Sequence, residues 1–266
     1  DYVKPFVGTD GYGNVYPGAQ IPFGGIQISP DTDNKYYDAA SGYKYNRPTI
    51  MGFSLTHLSG TGIPDLGDFL FIPGTGDMKF EAGTHEKPQE GYRSRYLHQK
   101  EWASPNYYGV DLIDYGVKAE MTSGIRSGIF RFTYPKSEKA FIMVDMDHTL
   151  WQSCEWSNLR MINDSTITGY KLVKGWGPER HIYFAAVFSK KLLNLRFVQN
   201  GKPIIYNTSR FRSAQEAWGK NLMACISFNT NDGEEVTVKT AISAVSTDGA
   251  LLNLKELEGL NFNSLK

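Results

Sequence analysis

The chain has 266 residues, with 28 Lys and Arg against 28 Asp and Glu, so its formal net charge is zero. That balance excludes the electrostatic footprint of a nucleic-acid or anionic-membrane binder, and no apolar run reaches the roughly 18 residues of a membrane span. Two cysteines, Cys154 and Cys225, cannot make a disulfide framework.

Aromatic residues make up 14% of the chain and 27 residues are Gly, a mixture that favours strands and tight turns over helices. Size scaling gives a chain of this length a folded surface of roughly 11,700 Å². The first residue is Asp1 rather than Met. A processed chain or a fragment is expected, with any signal peptide lost with the missing start.

Residues 1–90 are rich in Gly and Pro and lack clean periodicity. Short apolar stretches, Gly25 to Ser29 and Gly67 to Pro73, are broken by turn dipeptides. Two readings stay open here: long ordered loops that carry function, or edge strands joined by elaborate turns. From Tyr107 onward the pattern is regular. Val117, Ala119 and Met121 alternate with Lys118, Glu120 and Thr122, which predicts a half-buried strand. Ile129 to Tyr134 and Ala140 to Met146 follow as strands, and His181 to Ser189 has the composition of a strand buried on both faces. Asn200-Gly201 predicts a two-residue hairpin between Leu195–Val198 and Pro203–Tyr206. Asn231-Asp232-Gly233 predicts a second between Leu222–Phe228 and Glu235–Val245. Strands at this spacing argue a β-sandwich. Near the C-terminus, Thr247-Asp248 can cap a helix carrying Leu251, Leu252, Leu254 and Leu257 before Gly259, read as a connector.

The densest cluster of chemistry runs from His57 through Ser59, Gly60, Thr61, Gly62, Asp65 and Gly67 to Asp68. Glycines let backbone approach a ligand, and Asp or His can hold pairs of sugar hydroxyls. The plainer alternative has Asp65 and Asp68 capping turns while Ser59 and Thr61 bond their own backbone. Neither a Walker lysine nor a GxSxG elbow is present. Asp145 and Asp147, beside His148, share a strand face at glycosidase-pair spacing, although capping of the following turn is the preferred account. His57, His85, His98, His148 and His181 are scattered, without metal-ligand spacing. Of Trp102, Trp151, Trp156, Trp176 and Trp218, Trp176 within a turn-like Gly-Trp-Gly-Pro is the expected exposed platform for a sugar face. Asn163-Asp-Ser165 and Asn207-Thr-Ser209 match the glycosylation acceptor pattern.

The segments Val3-Lys-Pro-Phe-Val-Gly-Thr9, Pro17-Gly-Ala-Gln-Ile-Pro-Phe-Gly24, Gln27-Ile-Ser-Pro-Asp-Thr32 and above all Thr56-His-Leu-Ser-Gly-Thr-Gly62, followed by Asp65-Leu-Gly-Asp68, resemble the start of the family-92 glycoside hydrolases. Ser41-Gly-Tyr43, Gly52-Phe-Ser54, Val110-Asp-Leu112, Tyr115-Gly-Val117, Phe184 to Ser189 and Ala241-Ile-Ser-Ala-Val-Ser246 continue the likeness over nearly the whole chain. The resemblance implies an exo-acting, calcium-dependent, inverting α-mannosidase of α-1,2 preference. Such enzymes are secreted, periplasmic or at the cell surface of a bacterium. It implies an all-β fold, a large antiparallel β-sandwich (a supersandwich) over residues 1–246. Residues 247–266 would be a helical connector to an (α/α)6 catalytic domain lying outside this chain. Acid, base and calcium ligands would come from that domain, so no catalytic or metal-binding residue is expected here. The sandwich would then supply one pocket wall for mannose-containing glycans, with His57, Ser59, Gly60, Thr61, Asp65, Asp68 and Trp176 as its sugar contacts. Tyr12-Gly13-Asn14, where members often carry a histidine, and Ile63-Pro64 after Gly62 depart from the family pattern. The rival expectations are a free-standing carbohydrate-binding module and a purely structural docking domain.

Overall fold

The computed structural model describes residues 2–206 and 215–266; the acceptor pattern Asn207-Thr-Ser209 lies outside the described residues. Five short strands come first: β1 (Ser29–Asp31), β2 (Thr49–Ile50), β3 (Gly52–Ser54), β4 (Leu70–Thr75) and β5 (Ser94–Arg95). The next five are β6 (Glu101–Ser104), β7 (Tyr107–Leu112), β8 (Val117–Ser123), β9 (Ser127–Tyr134) and β10 (Ser137–Asp145). Then come β11 (Ser153–Asn163), β12 (Thr166–Lys174), β13 (Arg180–Phe188), β14 (Leu195–Gln199) and β15 (Lys202–Pro203). The last are β16 (Glu216–Gly219), β17 (Leu222–Thr230) and β18 (Glu234–Ser243), followed by helices α1 (Thr247–Asn253) and α2 (Phe262–Leu265).

A seven-stranded antiparallel sheet has the order β1-β3-β4-β10-β17-β14-β15, and a nine-stranded one the order β16-β11-β12-β13-β18-β9-β8-β7-β6. The two face each other across one apolar core, in which Phe71 of β4 meets Phe130 of β9 at 4.9 Å between ring centroids. The all-β sandwich expected from strand spacing is therefore the fold. Its surface is 12533 Å², above the roughly 11,700 Å² that size scaling predicts, in keeping with the long loops of the first 90 residues.

Side-chain alternation gives the two sheets different outer faces. In β10, Ala140, Ile142 and Val144 enter the shared core, while Phe141 and Met143 enter a second cluster on the outer face with Leu70, Ile72 and Tyr92. Residues Met78, Phe80 and Ala82 cover that outer face. β4, β10 and β17 are thus buried on both faces. β13 is not one of them, contrary to its composition: Ile182 and Phe184 point inward, whereas His181 is exposed and Tyr183 half-buried.

Asn200 (φ 51°) and Gly201 (φ 71°) close the expected hairpin, with Gln199 opposite Lys202. The second expected hairpin does not form. β17 pairs with β10 and β14, β18 pairs with β9 and β13, and Asn231-Asp232-Gly233 carries the chain from one sheet to the other. The helix begins one residue earlier than expected, because the Ser246 side chain accepts the Gly249 N–H. Residues 247–266 lie back on the outer face of the nine-stranded sheet, where Leu257 and Phe262 are buried against Tyr107 and Ile129.

Ser246→Ala removes that capping bond and is expected to cost about 1 kcal/mol. The check is a lowered urea midpoint with an unchanged slope; a midpoint equal to the parent's would mean that packing alone holds the helix.

Candidate functional site

The loop between β3 and β4 carries the His57–Asp68 cluster. Its base is closed by backbone pairs, Leu55 N–H to the Asp68 carbonyl and Gly67 N–H to the Thr56 carbonyl, each at 2.8 Å. Gly67 (φ 74°) is required here: a Cβ at that position would stand 2.6 Å from Leu150 Cγ. Leu66 and Phe69 also take left-handed backbone, at φ 72° and 59°, a strained state that the surrounding contacts must hold.

Those contacts are charged and buried. Asp68 is fully buried, with Oδ1 3.0 Å from Lys171 Nζ and Oδ2 2.6 Å from Arg180 Nη1. Thr56 Oγ1 donates to Asp68 Oδ2 (2.7 Å) and accepts from the Asp68 N–H (3.0 Å). Burial alone would raise the Asp68 pKa, but Lys171 and Arg180 outweigh it and hold the carboxyl well below its ordinary range. Lys171, itself fully buried, also donates to the His148 carbonyl at 2.5 Å. The His148 ring then reaches Asp31, with Nε2 2.7 Å from Oδ2. From the other side, His57 Nε2 lies 2.8 Å from Asp31 Oδ1, and His57 Nδ1 lies 2.8 Å from the Gln27 carbonyl. Asp31 is likewise held far below the ordinary carboxylate range: burial opposes ionisation, and the two histidines overcome it.

This arrangement revises where the expected sugar contacts lie. His57 and Asp68, 3% and 0% exposed, sit beneath the surface, with their polar atoms already bonded to Asp31 and to Lys171 with Arg180. Asp65 is buried, and its Oδ1 accepts the Leu66 N–H at 2.6 Å. Thr61 bonds the backbone of Ile63, the local pattern the plainer alternative expects, but it remains exposed with Ser59 and Gly60. The acids of the second cluster border a cavity of about 390 Å³ and bond neighbouring groups. Asp145 Oδ1 accepts the Asp147 N–H (2.9 Å), Asp145 Oδ2 accepts the Tyr92 hydroxyl (3.3 Å), and burial raises both carboxyl pKa values.

Above the buried network stands an exposed rim. Gly60 N–H donates to the Asn14 carbonyl at 2.6 Å, which ties the loop to the N-terminal segment. A Cβ on Gly62 would lie 3.8 Å from the Tyr37 hydroxyl, and the Tyr37 ring meets Trp151 edge-on at 5.9 Å. Trp151 is 56% exposed in left-handed backbone (φ 65°), unusual for so large a residue. Its neighbour Gln152 packs against Gly175, beside the 67% exposed Trp176. The rim thus gathers Ser59, Gly60, Thr61 and Trp176 with two aromatics, Tyr37 and Trp151, that the sequence did not single out as site residues. Asp31, Lys171 and Arg180 also escaped notice. One signal for Lys171 was available: it occupies an inward position in the alternation Ile167, Gly169, Lys171, Val173, where a lysine needs a buried partner.

Comparisons with known proteins fit this geometry. The model for the glycosyl hydrolase family 92 N-terminal domain matches residues 2–243. A family GH92 α-mannosidase of Bacteroides thetaiotaomicron, solved in complex with mannoimidazole, is 83% identical over 100% of this chain, with a TM-score of 0.97. This chain covers 35% of that one. A family GH92 inverting mannosidase of Bacteroides thetaiotaomicron VPI-5482 shares the fold at 23% identity and a TM-score of 0.76, matching 96% of this chain and 33% of its own. An uncharacterized secreted glycosidase of Arthroderma benhamiae is 29% identical over 135 residues, 50% of this chain and 17% of its own length. The chain therefore spans about a third of the solved mannosidases it matches.

The buried network makes two predictions. Asp68→Asn leaves Lys171 buried without its counter-charge and is expected to cost about 3–5 kcal/mol, measured by chemical unfolding at pH 7. Because Asp31 and Asp68 have folded pKa values below their unfolded ones, their contribution is full at neutral pH. It is lost progressively as pH falls from the unfolded value of about 4 toward the much lower folded values, so only its onset lies above pH 3. Unfolding free energy followed from pH 7 to pH 3 therefore drops in the parent and drops less in Asp68→Asn; parallel curves would show that Asp68 carries no such linkage.

Proposed function

The chain belongs to the glycosyl hydrolase family 92 N-terminal domain family, and we propose that it is the N-terminal sandwich of an exo-acting, inverting, calcium-dependent α-mannosidase. The reading includes α-1,2 preference and action on mannose-containing glycans outside the cytoplasm. The observation that carries it is the 83% identity over the full chain to a family GH92 α-mannosidase. The inverting outcome has support in the name of the second mannosidase, and the extracellular setting in that of the secreted glycosidase. No helix among the described residues is long and apolar enough to cross a membrane.

In this reading the chain supplies one wall of the pocket. Inversion needs a carboxylic acid and a carboxylate about 6.5–9.5 Å apart with a water between them. Asp65, Asp68, Asp145 and Asp147 are each bound to internal partners, so the pair is assigned to an (α/α)6 domain beyond this chain. Among the described residues, no three His, Cys, Asp or Glu side chains converge as ion ligands, and calcium ligands are assigned to the same domain. What this chain contributes is the rim: the Gly60–Gly62 backbone for close approach, and Tyr37, Trp151 and Trp176 for apolar sugar faces and exclusion of water. Beside it, Phe23, Ile125 and Val245 stand exposed near a shallow groove lined by Leu58, Leu66 and Ile182. Such apolar ground suits the docking of a second domain.

The test is α-mannoside hydrolysis with calcium, comparing this chain with the gene product extended past Lys266. Turnover is expected only in the longer protein, and turnover by the short chain would overturn the assignment. In the longer protein, Trp151→Ala is expected to lower kcat/KM by about tenfold or more, one aromatic contact's worth, with an unchanged Tm. A Trp151→Ala enzyme of parental kcat/KM would remove the rim from the pocket.

A further inference from the structure

The nine-stranded sheet carries a second aromatic surface, away from the rim loops. On its outer face, β16, β11, β12 and β13 lie side by side. Register sets Trp218 opposite Asn158, Asn158 opposite Tyr170, and Tyr170 opposite Tyr183. Their chain neighbours Ala217, Leu159 and Ile182 fill the core, as does Ile167 at the opposite parity to Tyr170 on β12, so this row points outward. Outer faces of antiparallel sheets are ordinarily polar. Here Trp218 is 53% and Trp156 47% exposed, and the Tyr170 and Tyr183 rings stand 4.8 Å apart at 32°.

Helix α1 packs over β18 and β13 and reaches β12. Between its residues Thr247, Asp248 and Leu251 and the Trp218 ring runs a groove of about 410 Å³, within the range of small-ligand clefts. Polar groups lie along its floor. Asn158 Nδ2 donates to Glu216 Oε1 (3.1 Å) and to the Ala217 carbonyl (3.2 Å), which fixes the amide and leaves its oxygen as an acceptor. Arg160, Glu216 and Asp248 add a planar donor and two carboxylates.

We propose that this groove binds a neutral oligosaccharide, an α-mannoside chain, by stacking sugar faces on Trp218 and on the Tyr170–Tyr183 pair. A pyranose offers one C–H-rich face to a ring and a hydroxyl edge to amide, guanidinium and carboxylate groups, and the groove presents both sets of partners side by side. Charge discriminates against the other ligand that stacks on aromatics: single-stranded nucleic acid needs a basic track, and this groove holds one arginine against two acids. A protein-docking face would have a core depleted in charge, which this floor is not. The site is independent of the pocket-wall reading, and only the choice of mannose as the probe sugar rests on the family.

The experiment is ¹⁹F NMR of this chain labelled with 5-fluorotryptophan and titrated with methyl α-mannoside and an α-linked mannobiose, each resonance assigned by a Trp→Phe variant. Saturable shifts are expected at Trp218 and Trp156, and stronger binding of the disaccharide. Trp218→Ala and, separately, Tyr170→Ala are expected to weaken binding about tenfold, while Trp102→Phe at the opposite sheet edge leaves it unchanged. Shifts confined to Trp151 and Trp176 would move the sugar to the rim and overturn the proposal, as would the absence of shifts at any tryptophan. Retained affinity in both alanine variants would overturn it as well.

Discussion

Two fully buried carboxylates, Asp31 and Asp68, organise the end of the sandwich that carries the rim. Asp31 closes β1 of the smaller sheet and draws in His57 from one loop and His148 from another. Asp68 leads into β4 of the same sheet but takes its cations from the larger one, Lys171 on β12 and Arg180 on β13. Lys171 joins the two halves by donating to the His148 carbonyl. Desolvating so many ionised groups costs much of what their attraction returns. The network is therefore better understood through what it positions than through net stability: a one-turn slip of either loop would leave a buried charge unpaired, so only one arrangement of the loops is tolerated.

That constraint explains how unfavourable backbone persists beside it. Leu66, Phe69 and Trp151 all hold left-handed conformations, and each lies within three residues of a network member. The charged residues hold the loops in place, and Trp151 stands exposed beside them. The outer faces of the two sheets divide in a similar way. Residues 78–82 and Tyr92 seal the smaller sheet, whereas helices α1 and α2 cover only part of the larger one and leave Trp156 and Trp218 exposed.

Strands such as β8 and β18 were legible because alternation is a local property of a sheet with one dry face, whereas β11, β12 and β16 were not read from the sequence. β13 misled for the same reason: Tyr183 and Val187 are apolar enough to suggest a second buried face, yet they sit on the outer one. The loop bearing His57 and Asp68 was legible as the place where chemistry gathers, but the direction of its side chains was not. An Asp in a glycine-rich loop looks like a sugar ligand until Lys171 and Arg180, more than a hundred residues away in sequence, are brought against it. Tyr37 and Trp151 left no trace of their pairing in the sequence, since neither motif nor period links them.

The two Asn-Gly-type turns separate what local chemistry decides from what it does not. Gly201 and Gly233 share φ 71°, so both sequences dictate a reversal. At Gly201 the flanking strands pair and a hairpin results. At Gly233 the flanking strands bring their apolar sides to one core from opposite sheets, and pairing them would leave one sheet without a central strand. The chain crosses instead, beside the similar crossing at Pro135 from β9 to β10. Thr230 Oγ1 donates to the Pro135 carbonyl (2.7 Å) and the Gly233 N–H to the Tyr134 carbonyl (2.9 Å). With β9 paired to β18 and β10 to β17, the two crossings support each other. Each satisfies backbone or side-chain groups that the other would leave unpaired. Turn residues therefore specify a bend, and the partner beyond it is chosen by which face of each strand must be dry.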